Sequence, residues 1–475
     1  MNMGCDIGIM GLGIMGRGFS LNAARNGYKV SVWTLSESCT DSMFKTSEFA
    51  SNITIHLDIG EFVQSLSLPR KILILIPSGK AMDDLLSMLK PKLSYGDIII
   101  DGGNEYYQNA EKRMTDLRSL GVIYLSMGIS GGGEGALNGA CLMPSGDKDG
   151  YTAIIDIFSK LSAKNNGNPC IAYVGSGSSG HYVKMIHNGI EYAVMEIISE
   201  IYELFKRVGK LNNDQIARKL SDWNQKTIAG SYLLEITSKI LMCKDTFTDN
   251  YLVDSVLDVA NSKGTGLICV KESFDLAVPC PTIAAAVSIR NISLLRDLRY
   301  KLFIAFSEIS SEYSSIDMNA KNFEEILLSA LICSKICAFA QGFMLMDVAD
   351  KSYGWQIDHS LITNIWKGGC IIRSKLLDII AKALKSHQQS LLMDENIVEI
   401  MLQNLSRWKE AVRIAHKYNI SAHAISSSLD YFLSFKCDKM PTNLIQAQRD
   451  YFGAHGFQRL DRSGNFHSEW TSETN

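Results

Sequence analysis

Gly11, Gly13 and Gly16 lie in GLGIMG, directly after the strand-like run CDIGIM and at the head of a helix-like segment that ends near Asn26-Gly27. No other stretch constrains the fold as much. Glycines between a strand and a helix permit a tight turn and let backbone amides approach a pyrophosphate, which then sits at the positive end of the helix. The chain therefore opens as a βαβ unit built for a dinucleotide.

From Cys5 to about Gly175 short β-rich runs (CDIGIM, KVSVW, KILILI, DIIID, VIYLSM) alternate with helical stretches such as AMDDLLSMLKPKL. That alternation predicts a doubly wound α/β sheet of parallel strands over 1–178. After about Ser179 the texture changes to long amphipathic or wholly apolar runs, which predict a large all-α domain over 179–436. A tail over 437–475, rich in glycine, polar residues and aromatics, has no helical period and too little apolar content for its own core, so it must dock elsewhere or stay disordered. Its five aromatics, Tyr451, Phe452, Phe457, Phe466 and Trp470, favour docking.

Composition excludes several classes of function. With 47 basic and 50 acidic residues, and a net charge of -3, nothing draws the whole chain to nucleic acid or to an anionic membrane. No run reads as the roughly 20 apolar residues of a bilayer span. The eleven cysteines show no CxxC and no metal-ligand spacing, so they read as buried thiols in a reducing cytosol, and the expected location is cytoplasmic.

The second strand ends near Trp33, where an acidic residue would take the ribose 2'-hydroxyl of NAD and an arginine the 2'-phosphate of NADP. Here stand Thr34, Leu35 and Ser36, none of them charged, and Glu37 is the first acidic residue. Two further glycine-rich strand ends follow, Asp101-Gly102-Gly103-Asn104 and GISGGGEGALNGACLMPSGD, where backbone can approach a ligand closely.

HYVKMIHNGIEY, residues 181–192, puts polar groups where a buried helix carries its core. Lys184, His187, Asn188, Glu191 and Tyr192 share one face at i, i+3, i+4, i+7 and i+8. Seven residues at about 100° each return Glu191 to the side of Lys184, so an amine and a carboxyl can meet one small ligand. Burial favours a neutral amine, which can then act as a base.

These motifs together resemble the 6-phosphogluconate dehydrogenase family, decarboxylating enzymes of the oxidative pentose phosphate pathway. The resemblance runs from GLGIMG through DGGN, SGGGEGA, LMPSGD, HYVKMIHNGIEY, KGTG and GGCIIRS to LIQAQRDYFGAH. It implies Lys184 as general base, Glu191 as general acid, and Asn104, Ser130, Gly131, Gly132, His187, Asn188 and Tyr192 as substrate ligands. Lys263, Thr265 and Arg290 match residues around the sugar phosphate. Arg449 and His455 match a pair that reaches in from a second subunit, so the implied unit is a homodimer with exchanged tails. The implied cofactor is NADP, with Gly11, Gly13, Ile14, Met15, Gly16, Thr34, Leu35, Ser36, Ile76 and Asn104 around it and no metal required.

The departures gather on the cofactor side. Where the family reads Asn-Arg-Thr or Asn-Arg-Ser after the second strand, this chain has Thr34-Leu35-Ser36; its Val-Lys-Ala-Gly loop is Ile76-Pro77-Ser78-Gly79. A lysine becomes Cys39, Gly13 replaces an alanine, and Gly133 replaces a glutamate. NAD, or use of both dinucleotides, is the reading of the cofactor end. A catalytically idle paralogue that binds 6-phosphogluconate as a regulatory subunit stands as the alternative, and action on another phosphorylated sugar acid as a third.

Overall fold

The structure, a computed structural model, describes residues 4–35, 47–262, 264–306, 320–386 and 389–470. Ser36, Glu37, Cys39 and Lys263 lie outside the described residues. The chain forms two compact units, Met1–Ser428 and Leu429–Asn475.

Within the first unit a seven-stranded sheet has the order β3-β2-β1-β4-β5-β6-β7. Its strands are β1 (Ile7–Met10), β2 (Val30–Trp33), β3 (Ile53–His56), β4 (Lys71–Ile74), β5 (Ile98–Asp101), β6 (Ile123–Ser130) and β7 (Cys141–Gly146). β1, β2 and β5 are buried at every position because helices cover both faces, the usual state of parallel strands. On one face Ile9, Val32, Ile100 and Leu125 pack with Phe19 and Phe158. On the other Met10, Ile72 and Ile99 pack with Phe62, Leu86 and Met114. The chain leaves β1 for β2 on one side and returns to β4 on the other, so the strand order reverses beside β1, where such sheets bind ligands.

Two strands of this sheet depart from the sequence reading. β3 was not anticipated; its ITIH is only half-buried and carries little apolar signal. The second glycine cluster is not one long loop: β6 runs on to Ser130, the helix Gly132–Asn138 follows, and β7 returns antiparallel to β6 with Ser130 opposite Cys141. Gly131 at φ 137° and Gly139 at φ 121° make the two corners.

Apart from a two-stranded hairpin, Lys164–Asn165 with Asn168–Pro169, the regular structure described in the rest of the first unit is helical. Ser179–Arg207 and Ala320–Tyr353 lie at its centre, and a Cβ on Gly342 would sit 2.5 Å from Ile190 Cδ1, so glycine lets the two helices touch. Ala320–Tyr353 corrects the expectation that no segment reaches a bilayer-spanning length. It is long and apolar enough by composition, yet its apolar stretch is almost wholly buried inside the protein. Lys335, within it, is buried, donates to the Ala229 carbonyl at 2.7 Å and lies 3.3 Å from Ser374 Oγ. Burial pushes its amine down to about 7.

The second unit corrects the reading of the tail as lacking helix. Thr442–Gly453 is helical, and its one buried residue is Asp450, so no apolar stripe announces it.

Candidate active site

Three glycine positions explain the first turn. A Cβ on Gly11, which has φ 98°, would meet the Leu75 carbonyl oxygen at 2.5 Å, and one on Gly16 would meet the Gly11 carbonyl oxygen at 1.8 Å. Gly13, by contrast, has no atom of the described residues beyond its own chain neighbours within 4 Å of an added Cβ. The space over Gly13 is open, and the helix Ile14–Arg25 starts there without a side-chain cap. Its first amides suit a pyrophosphate, so the turn fits a dinucleotide. Arg17 Nε donates to the Leu12 carbonyl at 3.0 Å. At the end of β2, Thr34 is buried and Leu35 is 84% exposed.

The C-terminal ends of the strands open into a cavity of about 460 Å³. Met15 and Ile76 line it from the dinucleotide side, Gly102, Gly103 and Asn104 from the end of β5, and Gly131 and Gly132 from the end of β6. Opposite stand Lys184, Asn188, Glu191 and Tyr192 of the Ser179–Arg207 helix, with Thr265 and Ile371.

This helix is pressed onto β6 through two glycines. A Cβ on Gly180 would lie 2.4 Å from both the Ser126 and the Met143 carbonyl oxygens; one on Gly128 would lie 2.7 Å from Lys184 Cβ. The contact delivers Lys184 to the cavity wall with only 8% exposure. Burial lowers its proton affinity below the ordinary lysine range, although Glu191, Cys370 and Cys141 pull the other way. Glu191 keeps 21% of its side chain exposed.

His187, fully buried, joins the two walls. Its Nδ1 lies 3.2 Å from Lys184 Nζ, 3.1 Å from Asn188 Oδ1 and 3.6 Å from Glu191 Oε2. Its Nε2 lies 2.8 Å from Ser130 Oγ and 3.0 Å from Cys370 Sγ, and Ser130 Oγ accepts from the Ile371 amide at 3.1 Å. Further along, the Arg290 guanidinium stacks 3.4 Å above the Tyr192 ring.

Arg113 ties the loop at Gly79 to the end of β5. It donates to Glu105 at 2.5 Å, to Asp83 at 2.8 Å and to the Gly79 carbonyl at 3.1 Å, while Glu105 accepts from the Gly79 amide at 2.8 Å. Asp101 accepts from the Tyr124 hydroxyl at 2.5 Å and lies 3.4 Å from His181 Nε2, one turn before Lys184. Burial pushes its carboxyl up, but His181, Tyr124 and the Gly103 amide outweigh it and hold it below the usual range. Lys80, which follows the Gly79 loop, donates to Asp84 at 2.7 Å.

Of the residues named from sequence, Met15, Ile76, Asn104, Gly131, Gly132, Lys184, Asn188, Glu191, Tyr192 and Thr265 share the cavity wall. Ser130 and His187 lie behind it, and Arg290 backs Tyr192. Ile14 is 77% exposed and is not among the cavity-lining residues. Arg449 and His455 belong to the second unit, on and just after its helix. Sequence reasoning missed Ile371 and Cys370, although GGCIIRS had been singled out. Gly369, φ 62°, packs against the Gly139 carbonyl, and nothing in the motif names that partner.

A dinucleotide turn at a sheet's switch point, facing a buried amine and a carboxyl across one crevice, defines an NAD(P)-dependent dehydrogenase. Residues 6–175 match the NAD binding domain of 6-phosphogluconate dehydrogenase, and residues 180–470 match its C-terminal domain. Decarboxylating 6-phosphogluconate dehydrogenase 2, chloroplastic, of Oryza sativa is 40% identical over 98% of this chain and 93% of its own. The Synechococcus elongatus enzyme is likewise 40% identical, over 98% and 99%. The Plasmodium falciparum 6-phosphogluconate dehydrogenase, solved in its apo form, with NADP+ and with 6-phosphogluconate, shares 40% identity and a TM-score of 0.93, covering 98% of this chain and 100% of that one. The chain belongs to the 6-phosphogluconate dehydrogenase family.

Proposed function

We propose that this protein oxidatively decarboxylates 6-phospho-D-gluconate to D-ribulose 5-phosphate and CO2 as a cytoplasmic homodimer. The observation that carries the reading is the buried Lys184 amine on the same cavity wall as the partly exposed Glu191. The ten described cysteines are all free, which suits a reducing compartment.

Neutral Lys184 takes the proton of the C3 hydroxyl. The nicotinamide, when bound, supplies the acceptor for the hydride that leaves C3. The resulting 3-keto acid is a β-keto carboxylate, and the Lys184 ammonium stabilises the enol oxygen as the bond to the carboxylate breaks and CO2 departs. Glu191 then delivers a proton to C1 of the enediol. Asn104, Ser130, Gly131, Gly132, His187 and Asn188 hold the polyol and carboxylate. Tyr192, Lys263, Thr265 and Arg290 take the phosphate, completed by the partner subunit's Arg449 and the partner subunit's His455, since a dianion needs convergent cationic donors.

We assign 1–178 to the dinucleotide, 179–436 to substrate and dimer contacts, and 437–475 to the partner. The helix Arg296–Ala305 supports a dimer: it buries none of its residues, and Leu298 and Phe303 are 51% and 71% exposed. Leu35 in place of an arginine supports use of NAD beside NADP, as it offers the 2'-phosphate no charge.

Purified protein is mixed with 6-phosphogluconate and either dinucleotide while reduced-nicotinamide absorbance and CO2 release are followed. Equal rates of the two signals are expected. Reduction without CO2, or substrate binding without turnover, refutes the assignment.

A further inference from the structure

Among the described residues of the second unit no apolar side chain beyond Tyr431 is buried, yet it has a built centre. In the helix Thr442–Gly453 the buried residue is a carboxylate, Asp450, with no exposure, while Tyr451 beside it is 61% exposed and Phe452 is 72% exposed. Four donors surround it. Oδ1 receives the Gly456 amide at 2.9 Å and lies 2.9 Å from His467 Nδ1. Oδ2 receives the Ser468 amide at 3.1 Å and the Trp470 indole at 2.8 Å.

All four donors come from the chain that follows the helix, so the carboxylate gathers residues 456 to 470 back onto residue 450. The fold around it is consistent with a closed loop. Phe457 and Phe466 exchange both backbone hydrogen bonds, at 2.7 and 2.8 Å, and the rings of Phe457 and Trp470 lie 6.0 Å apart. Gln446 donates to the Gly456 carbonyl at 2.6 Å and accepts from Arg449 at 3.1 Å. Ala454 at φ 50° and Gly456 at φ 75° turn the chain on either side of His455. A buried carboxylate without donors is strongly unfavourable, and one whose lone pairs are all filled orders whatever supplies the donors.

We propose that Asp450 is a positioning residue whose carboxylate closes the tail into a fixed loop, presenting Arg449 and His455 as a preformed pair to the sugar-phosphate site of a second copy of this chain. The proposal rests on the reading above that those two side chains meet the substrate phosphate. Holding the pair in place before docking removes an ordering cost from substrate binding. Its signature is a weaker grip on the phosphorylated substrate with the dinucleotide end untouched.

The test compares full-length parent, Asp450→Asn, Trp470→Phe and Arg449→Met by amide hydrogen exchange over residues 450–470 and by steady-state kinetics. Asn presents a donor where two donors already point. Exchange at Gly456 and Ser468 should therefore quicken about ten-fold or more, and KM for 6-phosphogluconate should rise about ten-fold with KM for the dinucleotide unchanged. Trp470→Phe, which removes one donor and keeps a ring, should shift both readouts in the same direction by less. Parental exchange in Asp450→Asn overturns the role of the carboxylate, and faster exchange with parental KM overturns the role of the loop in substrate binding. If Arg449→Met keeps the parental KM, the reading of the tail as a phosphate ligand fails, and the proposal fails with it for that separate reason.

Discussion

Gly128→Ala tests how the strand places the base. The new Cβ would lie 2.7 Å from Lys184 Cβ and 2.5 Å from the Gly180 carbonyl oxygen, whereas carbon atoms pack best at about 3.5 to 4.0 Å. Neither neighbour is the loose end of a side chain. The helix must therefore retreat from β6 by about 1 Å, carrying Lys184 with it. Such overpacking costs about 1 to 3 kcal/mol of stability, which a domain of this size tolerates. Misplacement of a reacting group by about 1 Å costs about a hundredfold in rate, so kcat should fall about a hundredfold while the protein stays folded. Urea unfolding and nicotinamide absorbance at saturating substrate measure the two effects separately. A variant that loses stability yet keeps the parental kcat would refute the claim that this contact sets the position of the amine.

Lys184→Met should lower kcat by about 10² to 10⁴ with parental dinucleotide binding, measured by fluorescence titration and turnover. Lys335 binds a proton less readily folded, at about 7, than its ordinary 10.5; stability should rise by a few kcal/mol from pH 7 to pH 10, and Lys335→Met should flatten that rise in pH-resolved unfolding. Gly13→Ala should leave unfolding and dinucleotide binding near parental, whereas Gly16→Ala, facing the Gly11 carbonyl at 1.8 Å, should abolish binding by calorimetry. Leu35→Arg should shift the ratio of kcat/KM for NADP over NAD upward by about ten-fold or more, because an arginine fork suits a phosphate.

Much of the fold was legible because its signals are local. β1, β2, β4, β5 and β6 announce themselves as short apolar runs, and GLGIMG marks the switch point before any partner strand is known. The polar stripe from Lys184 to Tyr192 was legible for the same reason, since helical periodicity alone puts those groups on one face. β7 was hidden by Pro144 and Gly146, and β3 by its half-exposed residues. The helix around Asp450 was hidden because a carboxylate occupies the place where periodicity expects an apolar residue.

The sequence by itself determined which residue types share a face and where backbone must come close to a ligand, because both follow from periodicity and from the absence of a Cβ. Only the tertiary structure decided that Ser130 and Cys370 converge on the His187 imidazole, that Gly128 and Gly180 let the helix touch β6, and that Asp101 meets His181. Those contacts join residues dozens to hundreds of positions apart, and their partners are chosen by packing and by the need to satisfy buried polar groups, which no local pattern records.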